Sequence, residues 1–221
     1  HAILERLGEL RGSHYGLFDS VIGLENFFGI EIDDFAAEIA VLSLWIAKHQ
    51  MNIEFQHKFG SRISLIPLTE TGNIRRANAN RIDWNTVCPN RGDAEIYLIG
   101  NPPYKGAKKQ SPEMKADFAY VFGKTPFSRN LDYVALWFFK GAEYIRGTRA
   151  QLSFVSTSSV SQGEHVGLMF QPIFDSGLEI GYAYTPFRWV NNAKNAAGVM
   201  VIVVNLRVPA KKPKFLYTGA L

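Results

Sequence analysis

Short apolar runs alternate with helical patterns along this 221-residue chain, and this order restricts the fold more than any other feature. The run at 26–33 ends in acidic residues, and apolar residues at helical spacing follow it directly. Asp33 or Asp34 can cap that helix, which we expect to end near Gln50. Strands that alternate with helices favour a parallel sheet covered on both faces. The sequence therefore predicts a doubly wound α/β fold with a mostly parallel sheet.

The later elements continue this alternation. We expect further strands and helices, in chain order, at 74–80, 94–100, 111–122, 131–145, 152–155 and 159–174. The last two strands, at 179–184 and 199–206, have no helix between them, which predicts a late antiparallel hairpin and a mixed sheet. The sequence shows no repeat and no linker, so residues 1–221 are predicted to form a single domain.

Composition excludes several classes of function. The chain is 47% hydrophobic, which is enough for one sizeable core, and it has no run near the roughly 18 apolar residues of a membrane span. Without a secretory pattern at the N-terminus, we expect a cytoplasmic protein with no membrane partner. The only cysteine, Cys88, excludes an intrachain disulfide, and the five histidines lack metal-ligand spacing. Zinc chemistry and hydrolytic triads are therefore disfavoured.

Charge is unevenly distributed along the chain. Residues 1–110 carry 12 Lys/Arg against 13 Asp/Glu, whereas residues 111–221 carry 12 against 7. This C-terminal excess is compatible with a polyanionic partner, although a solvated face is the commoner explanation.

The predicted strand at 94–100 runs directly into Asn101-Pro102-Pro103-Tyr104. The Asn side-chain oxygen accepts hydrogen bonds, and the two prolines fix the local backbone. The Tyr ring can stack on a flat heterocycle. The turn thus suits a planar amino group, but a Pro-rich turn at a strand end explains the bare motif equally well.

Two other polar residues follow predicted strands. Glu31 ends the first strand and Asn78 lies near the end of the next. Ligands of open α/β sheets bind at the carboxyl ends of strands, where a carboxylate commonly accepts from ribose hydroxyls. A charge favoured by the helix dipole is the alternative for Glu31.

Six segments occur in the order of the adenine-N6 DNA methyltransferases, namely 28–33, 76–84, 100–104, 131–135, 154–164 and 187–194. Over roughly residues 25–207, the chain resembles the methyltransferase part of the single-chain restriction-modification enzymes typified by MmeI. The resemblance implies a Rossmann-like, class I S-adenosylmethionine-dependent methyltransferase fold. It also implies methyl transfer to adenine N6 of double-stranded DNA, with the base flipped out of the duplex.

The resemblance assigns the cofactor-side residues. Glu31 matches the acidic residue that holds the ribose of S-adenosylmethionine, and Ile32 lies beside the cofactor's adenine. Asn78 matches the residue that binds the amino group of that adenine, although Ala77 and Asn80 stand where the family usually has Gly and Leu.

On the base side, Asn101 and the carbonyl of Pro102 match the acceptors for the N6 amino group. Pro103 completes the turn, and Tyr104 matches the ring that stacks on the flipped base. No metal is required for this chemistry, which works by positioning and electrostatics.

Further substrate contacts are predicted around this turn. Trp189 matches the aromatic residue that closes the stack, with Phe187 as the neighbouring candidate; core packing is the alternative for both. Lys105, with Lys108 and Lys109, can meet flanking phosphates, and a solvated flexible loop is the alternative.

The chain departs from the family at its ends. Residues 1–25 contain no Asp-Pro-x-x-Gly-x-Gly pattern after a strand, so we expect a domain truncated at both ends, with its first strand missing. We expect weak or no S-adenosylmethionine binding by residues 1–221 alone, which micromolar affinity in isothermal titration would refute. An RNA-adenine or protein-glutamine methyltransferase and a catalytically silent DNA-binding module are the alternative functions.

Overall fold

The computed structural model describes residues 23–59, 72–189 and 199–218. The chain divides into two compact units, His1–Asn78 and Ala79–Leu221. The described part of the first unit contains the strands β1 (Phe28–Glu31) and β2 (Asn73–Arg76) and the helix α1 (Asp34–Phe59). The two strands are parallel neighbours, with Glu31 opposite Arg76. Their carboxyl ends therefore meet at one edge of a small sheet.

Helix α1 begins where the sequence predicts and ends later. The Asp33 carboxylate accepts a hydrogen bond from the Ala36 N–H at 2.8 Å, so Asp33 is the cap. The helix runs to Phe59 instead of ending near Gln50. The apolar residues that mark it in the sequence are exposed in the structure; they are Phe35, Ile39, Leu42 and Ile46.

The second unit contains a five-stranded sheet and three α-helices in its described part. The strands are β3 (Tyr97–Gly100), β4 (Gln151–Thr157), β5 (Glu179–Trp189), β6 (Val199–Arg207) and β7 (Phe215–Tyr217). The helices are α2 (Pro112–Phe122), α3 (Ala135–Ile145) and α4 (Gln171–Asp175). None of the helices in the described ranges is long and apolar enough to cross a membrane.

The sheet order is β3-β4-β6-β5-β7. The β3–β4 and β5–β7 pairs are parallel, whereas β6 is antiparallel to both β4 and β5. The α/β class, the mixed sheet and the late hairpin are thus confirmed. Strands β3, β4, β5 and β7 all point the same way, so their carboxyl ends share one edge.

Three local predictions need correction. The expected helix at 159–174 is a 3₁₀ turn (Ser158–Ser161), a π-helical turn (Val166–Phe170) and the short α4. Pro172 is the second residue of α4, at the point where the π-helical turn runs directly into the α-helix. The helix expected from residue 131 begins at Ala135, and strand β7 was not predicted.

Helix α3 packs closely against β4 and forms the centre of the second unit. Leu136, Phe138 and Ile145 of α3 are fully buried, as is Leu152 of β4. A Cβ atom at Gly141 would lie 2.6 Å from Leu152 Cδ2, so any larger residue there would force the fully buried Leu152 side chain to shift. This packing fixes β4 beside β3 and so holds the edge at which β3 ends.

Candidate active site

The Asn-Pro-Pro-Tyr turn follows β3 at the carboxyl edge of the five-stranded sheet. Asn101 is exposed, Pro102 is buried and Tyr104 is half-buried. Within the described residues, neither the Asn101 amide nor the Tyr104 hydroxyl makes a hydrogen bond. The buried proline anchors the turn while the amide and the ring remain available to a ligand.

The backbone directly after the turn is fixed by hydrogen bonds. The Lys105 N–H donates to Asp132 Oδ1 at 2.9 Å, and the Lys105 carbonyl accepts from the Tyr133 N–H at 3.0 Å. Gln110 Nε2 donates both to the same carbonyl, at 3.0 Å, and to the Leu131 carbonyl, at 2.9 Å. A flexible loop, the alternative given for this segment, does not fit these contacts.

Tyr133, the residue after Asp132, belongs to a buried polar cluster of the second unit. The Tyr133 hydroxyl donates to Asp117 Oδ2 at 2.5 Å, and Arg81 Nε donates to Asp117 Oδ1 at 2.6 Å. Asn80 Nδ2 donates to the Tyr133 hydroxyl at 3.3 Å. Burial and the Asp117 contact raise the pKa of Tyr133 to about 12, and Asp117 also raises the pKa of Arg81. Sequence reasoning gave Asp117 no role, because its partners lie 16 and 36 residues away.

Phe187 and Trp189 lie near the end of β5, at the same sheet edge as Asn101. Strands β4 and β6 separate β5 from β3, which corresponds to about 14 Å between the two strands. The two rings are neighbours, with centroids 6.5 Å apart and planes at 43°. Both side chains are only partly buried, so full burial in the core does not explain them.

The first unit brings the cofactor-side residues together. Glu31 Oε1 accepts from the N–H groups of Ile32, at 2.8 Å, and Asp33, at 3.0 Å. The Ala77 N–H donates to the Glu31 carbonyl at 2.8 Å, which places Asn78 directly beyond the end of β1. Glu31 and Asn78 therefore follow neighbouring parallel strands at one edge.

The chemistry of these groups fits the sugar and base of a nucleoside. Glu31 Oε2 accepts no hydrogen bond within the described residues, so it can accept from a ribose hydroxyl. Ile32 is 65% exposed and offers an apolar surface next to that carboxylate. Most of the segment at 1–25, in which the sequence shows no Asp-Pro-x-x-Gly-x-Gly pattern, lies outside the described residues.

The mixed α/β sheet and the Asn-Pro-Pro-Tyr turn agree with the comparisons, which place the chain among the DNA methyltransferases. Residues 1–218 match the family described as MmeI, DNA-methyltransferase domain, and the chain belongs to this family. The resemblance inferred from the six sequence segments is thus confirmed.

Two relatives illustrate the relationship. DNA methyltransferase A of Bacillus subtilis (strain 168) is 45% identical over 217 residues, which are 97% of this chain and 24% of that protein. A solved structure of the Type IIL restriction-modification enzyme MmeI in complex with DNA is 37% identical, with a TM-score of 0.83. That match covers 95% of this chain and 28% of the MmeI chain, so the chain spans about a quarter of either relative.

Proposed function

We propose that the protein containing this chain transfers a methyl group from S-adenosylmethionine to N6 of adenine in double-stranded DNA, within a restriction-modification system. A class I methyltransferase fold is part of this proposal. The family and the DNA-bound relative support the reaction class and the substrate. The observation that carries the adenine assignment is the Asn101 amide, which is exposed and unbonded within the described residues at the end of β3.

The base-side residues act on a weak nucleophile. The lone pair of an exocyclic aromatic amine is delocalised into the ring. The Asn101 side-chain oxygen and the Pro102 carbonyl accept hydrogen bonds from its two N–H groups, which favours a pyramidal and more nucleophilic nitrogen. When bound, S-adenosylmethionine supplies the methyl group as a sulfonium. Asn101 and Pro102 orient the amine for in-line attack, so catalysis depends on positioning.

Base flipping accounts for the aromatic residues. N6 takes part in base pairing, so adenine must leave the duplex at a cost of a few kcal/mol. Stacking on Tyr104, closed by Trp189 with Phe187 beside it, offsets part of that cost. On the cofactor side, Glu31 Oε2 accepts from the ribose, while Ile32 and Asn78 contact the cofactor's adenine.

Methyl transfer in the full natural protein tests this function. Labelled S-adenosylmethionine and duplex DNA are incubated with the protein, and the product nucleosides are identified by mass spectrometry. We expect N6-methyladenine, with at least about a hundredfold loss of kcat in Asn101→Ala because both the acceptor and its positioning are lost.

Asn101→Asp is the matched variant, since it keeps an acceptor oxygen at the same place, and we expect a smaller loss than in the Ala variant. Methylated cytosine in place of methylated adenine would overturn the adenine assignment. Absence of any transfer by the intact protein would favour a catalytically silent DNA-binding module.

A further inference from the structure

A cleft of about 460 Å³ opens within the second unit and is lined in part by the loop that follows the Asn-Pro-Pro-Tyr turn. One wall is the loop after the turn, which contributes Lys108 and Gln110. Helix α2 contributes Lys115, and the segment before α3 contributes Arg129. We call this feature the basic cleft, and its three cationic residues are Lys108, Lys115 and Arg129.

The cations of the basic cleft form no ion pairs with carboxylates in the part of the chain that the structure describes. All three cationic side chains are exposed. The nearby carboxylate of Asp117 is buried and committed to Arg81. Glu164 accepts a hydrogen bond from Asn130 at the margin of the cleft, at 3.3 Å. Three unpaired cations around one concave surface favour a polyanionic ligand.

The cationic groups stand on fixed backbone. Lys108 lies in a 3₁₀ turn (Ala107–Lys109), and the Lys109 N–H donates to the Gly106 carbonyl at 2.8 Å. The Gln110 amide ties this loop to Leu131. Lys115 lies in α2, whose start is capped by Ser111. A fixed arrangement reduces the entropy lost when a ligand is bound.

The floor and position of the cleft suit a nucleic-acid strand. Phe127 is half-buried and lines the cleft, where it offers an apolar surface to deoxyribose carbons. The buried Phe118 ring stacks against it, with centroids 5.6 Å apart, and supports it. Lys108 follows Tyr104 by four residues, a span of at most about 14 Å. That distance is about four base steps of DNA at 3.4 Å each. The cleft is therefore within reach of phosphates that flank a base held at Tyr104.

We propose that the basic cleft binds backbone phosphates of the DNA strand that carries the target base, close to that base. This inference rests on the proposed DNA methylation. The side chains of Lys108, Lys115 and Arg129 contact phosphate oxygens, and Phe127 packs against a sugar. Such contacts set the position of the strand and carry no sequence information.

Salt-dependent DNA binding tests the basic cleft in the full natural protein. The variant Lys108→Gln, Lys115→Gln, Arg129→Gln is compared with wild type by fluorescence anisotropy of a labelled duplex over a range of NaCl concentrations. Each lost phosphate contact lowers the log–log salt slope by about 0.9 and the affinity at 0.1 M salt by about eightfold. The matched control, Lys124→Gln, Lys211→Gln, Lys212→Gln, removes the same charge from exposed sites outside the cleft.

We expect the cleft variant to have a lower affinity and a smaller log–log salt slope than wild type, and the control to stay close to wild type. A charge-retaining variant, Lys108→Arg, Lys115→Arg, Arg129→Lys, should bind as wild type does. A cleft variant that binds like wild type, or no worse than the control, would overturn the inference. The experiments distinguish failure of the basic-cleft proposal from failure of the DNA-methylation proposal. Transfer that depends on Asn101 with an unchanged cleft variant refutes only the cleft, whereas weakened binding without any methyl transfer by wild type refutes only the enzyme.

Discussion

Tyr104 combines a half-buried ring with a hydroxyl that makes no hydrogen bond within the described residues. A tyrosine that served the fold would normally use its hydroxyl, as Tyr133 and Tyr144 do. The ring of Tyr104 is thus the part available for function, and stacking on a base requires only the ring.

We expect Tyr104→Phe to keep kcat/KM for DNA within about threefold of wild type, since the stacking surface is retained. Tyr104→Ala removes a stacking interaction of about 1–3 kcal/mol, which corresponds to a loss of roughly 5- to 150-fold. Steady-state methyl transfer measures both. Equal losses in the two variants would assign the function to the hydroxyl.

Asp132 holds the backbone beyond the turn. Its Oδ1 accepts from the Lys105 N–H at 2.9 Å and from the Val134 N–H at 3.1 Å. The carboxylate is 6% exposed, so both donors would lose their partner in a dry environment if it were removed.

We expect Asp132→Ala to lower the free energy of unfolding by about 1–3 kcal/mol and to speed hydrogen exchange at the Lys105 amide. Asp132→Asn keeps an acceptor oxygen and should show smaller changes in both. Urea unfolding and native-state exchange are the measurements. If Asp132→Asn lowered the free energy of unfolding as much as Asp132→Ala does, the stabilisation would depend on the negative charge of Asp132 and not on the position of its acceptor oxygen.

The sequence points to candidate site residues where the signal is local. Asn101 and Tyr104 come directly after an apolar strand. Glu31 ends one strand and Asn78 follows the next, so the strand order predicts that Glu31 and Asn78 lie at the same sheet edge. Asp132 and Asp117 escape such reasoning, because the structure pairs them with groups at least 16 residues away, apart from the local Val134 contact. Periodicity shows that a residue is buried but not which partner it meets.

At the scale of elements, strand and helix order is predictable and element ends are less so. Ser111-Pro112 predicts the start of α2, and Ser111 Oγ indeed accepts from the Met114 N–H. The start of α3 shifts because Asp132 forms its own turn with Val134. Strand β7 is three residues long and depends on pairing with β5, which leaves no periodic signal.

Helix α3 and strand β4 approach each other at Gly141, and this contact gives an element-scale prediction. Gly141→Ala places a methyl group 2.6 Å from Leu152 Cδ2, so we expect it to lower the free energy of unfolding by about 1–3 kcal/mol. Gly167→Ala is the control, because its Cβ would meet nothing within 4 Å, and it should be neutral or slightly stabilising. Chemical denaturation distinguishes the two. Equal stability of both variants would contradict the close packing.

At the scale of the whole molecule, each compact unit carries some of the candidate site residues. The first unit places Glu31 beside Asn78, and the second holds the Asn101 turn and the basic cleft. The excess of positive charge falls in the C-terminal half of the sequence, which the second unit contains. Sequence reasoning finds this excess but not the cleft, since Lys108, Lys115 and Arg129 come from three segments.

The second unit also determines how the stability of the protein depends on alkaline pH. Tyr133 and Tyr144 are 6% and 8% exposed, and their hydroxyls donate to Asp117 and to the Cys88 carbonyl. Burial and these contacts raise the pKa of Tyr133 from 10.0 to about 12 and also raise the pKa of Tyr144. Burial lowers the pKa of Lys140. This shift makes stability rise with pH, opposite to the effect of the tyrosines, but only below pH 10.5, the ordinary pKa of the lysine.

Above pH 10 the unfolded chain loses tyrosine protons that the folded protein keeps, so the unfolded state is favoured increasingly. The stabilisation from Tyr133 is fully present below pH 10 and is lost as pH rises towards 12, at up to about 1.4 kcal/mol per pH unit for each such tyrosine. We expect urea unfolding between about pH 9 and 12, a range that includes the ordinary tyrosine pKa, to show this decline in wild type and a shallower one in Tyr133→Phe, Tyr144→Phe. Tyr217→Phe, at a 43% exposed residue, is the control and should follow wild type. An unchanged slope in the double variant would show that these two hydroxyls do not govern the alkaline limit.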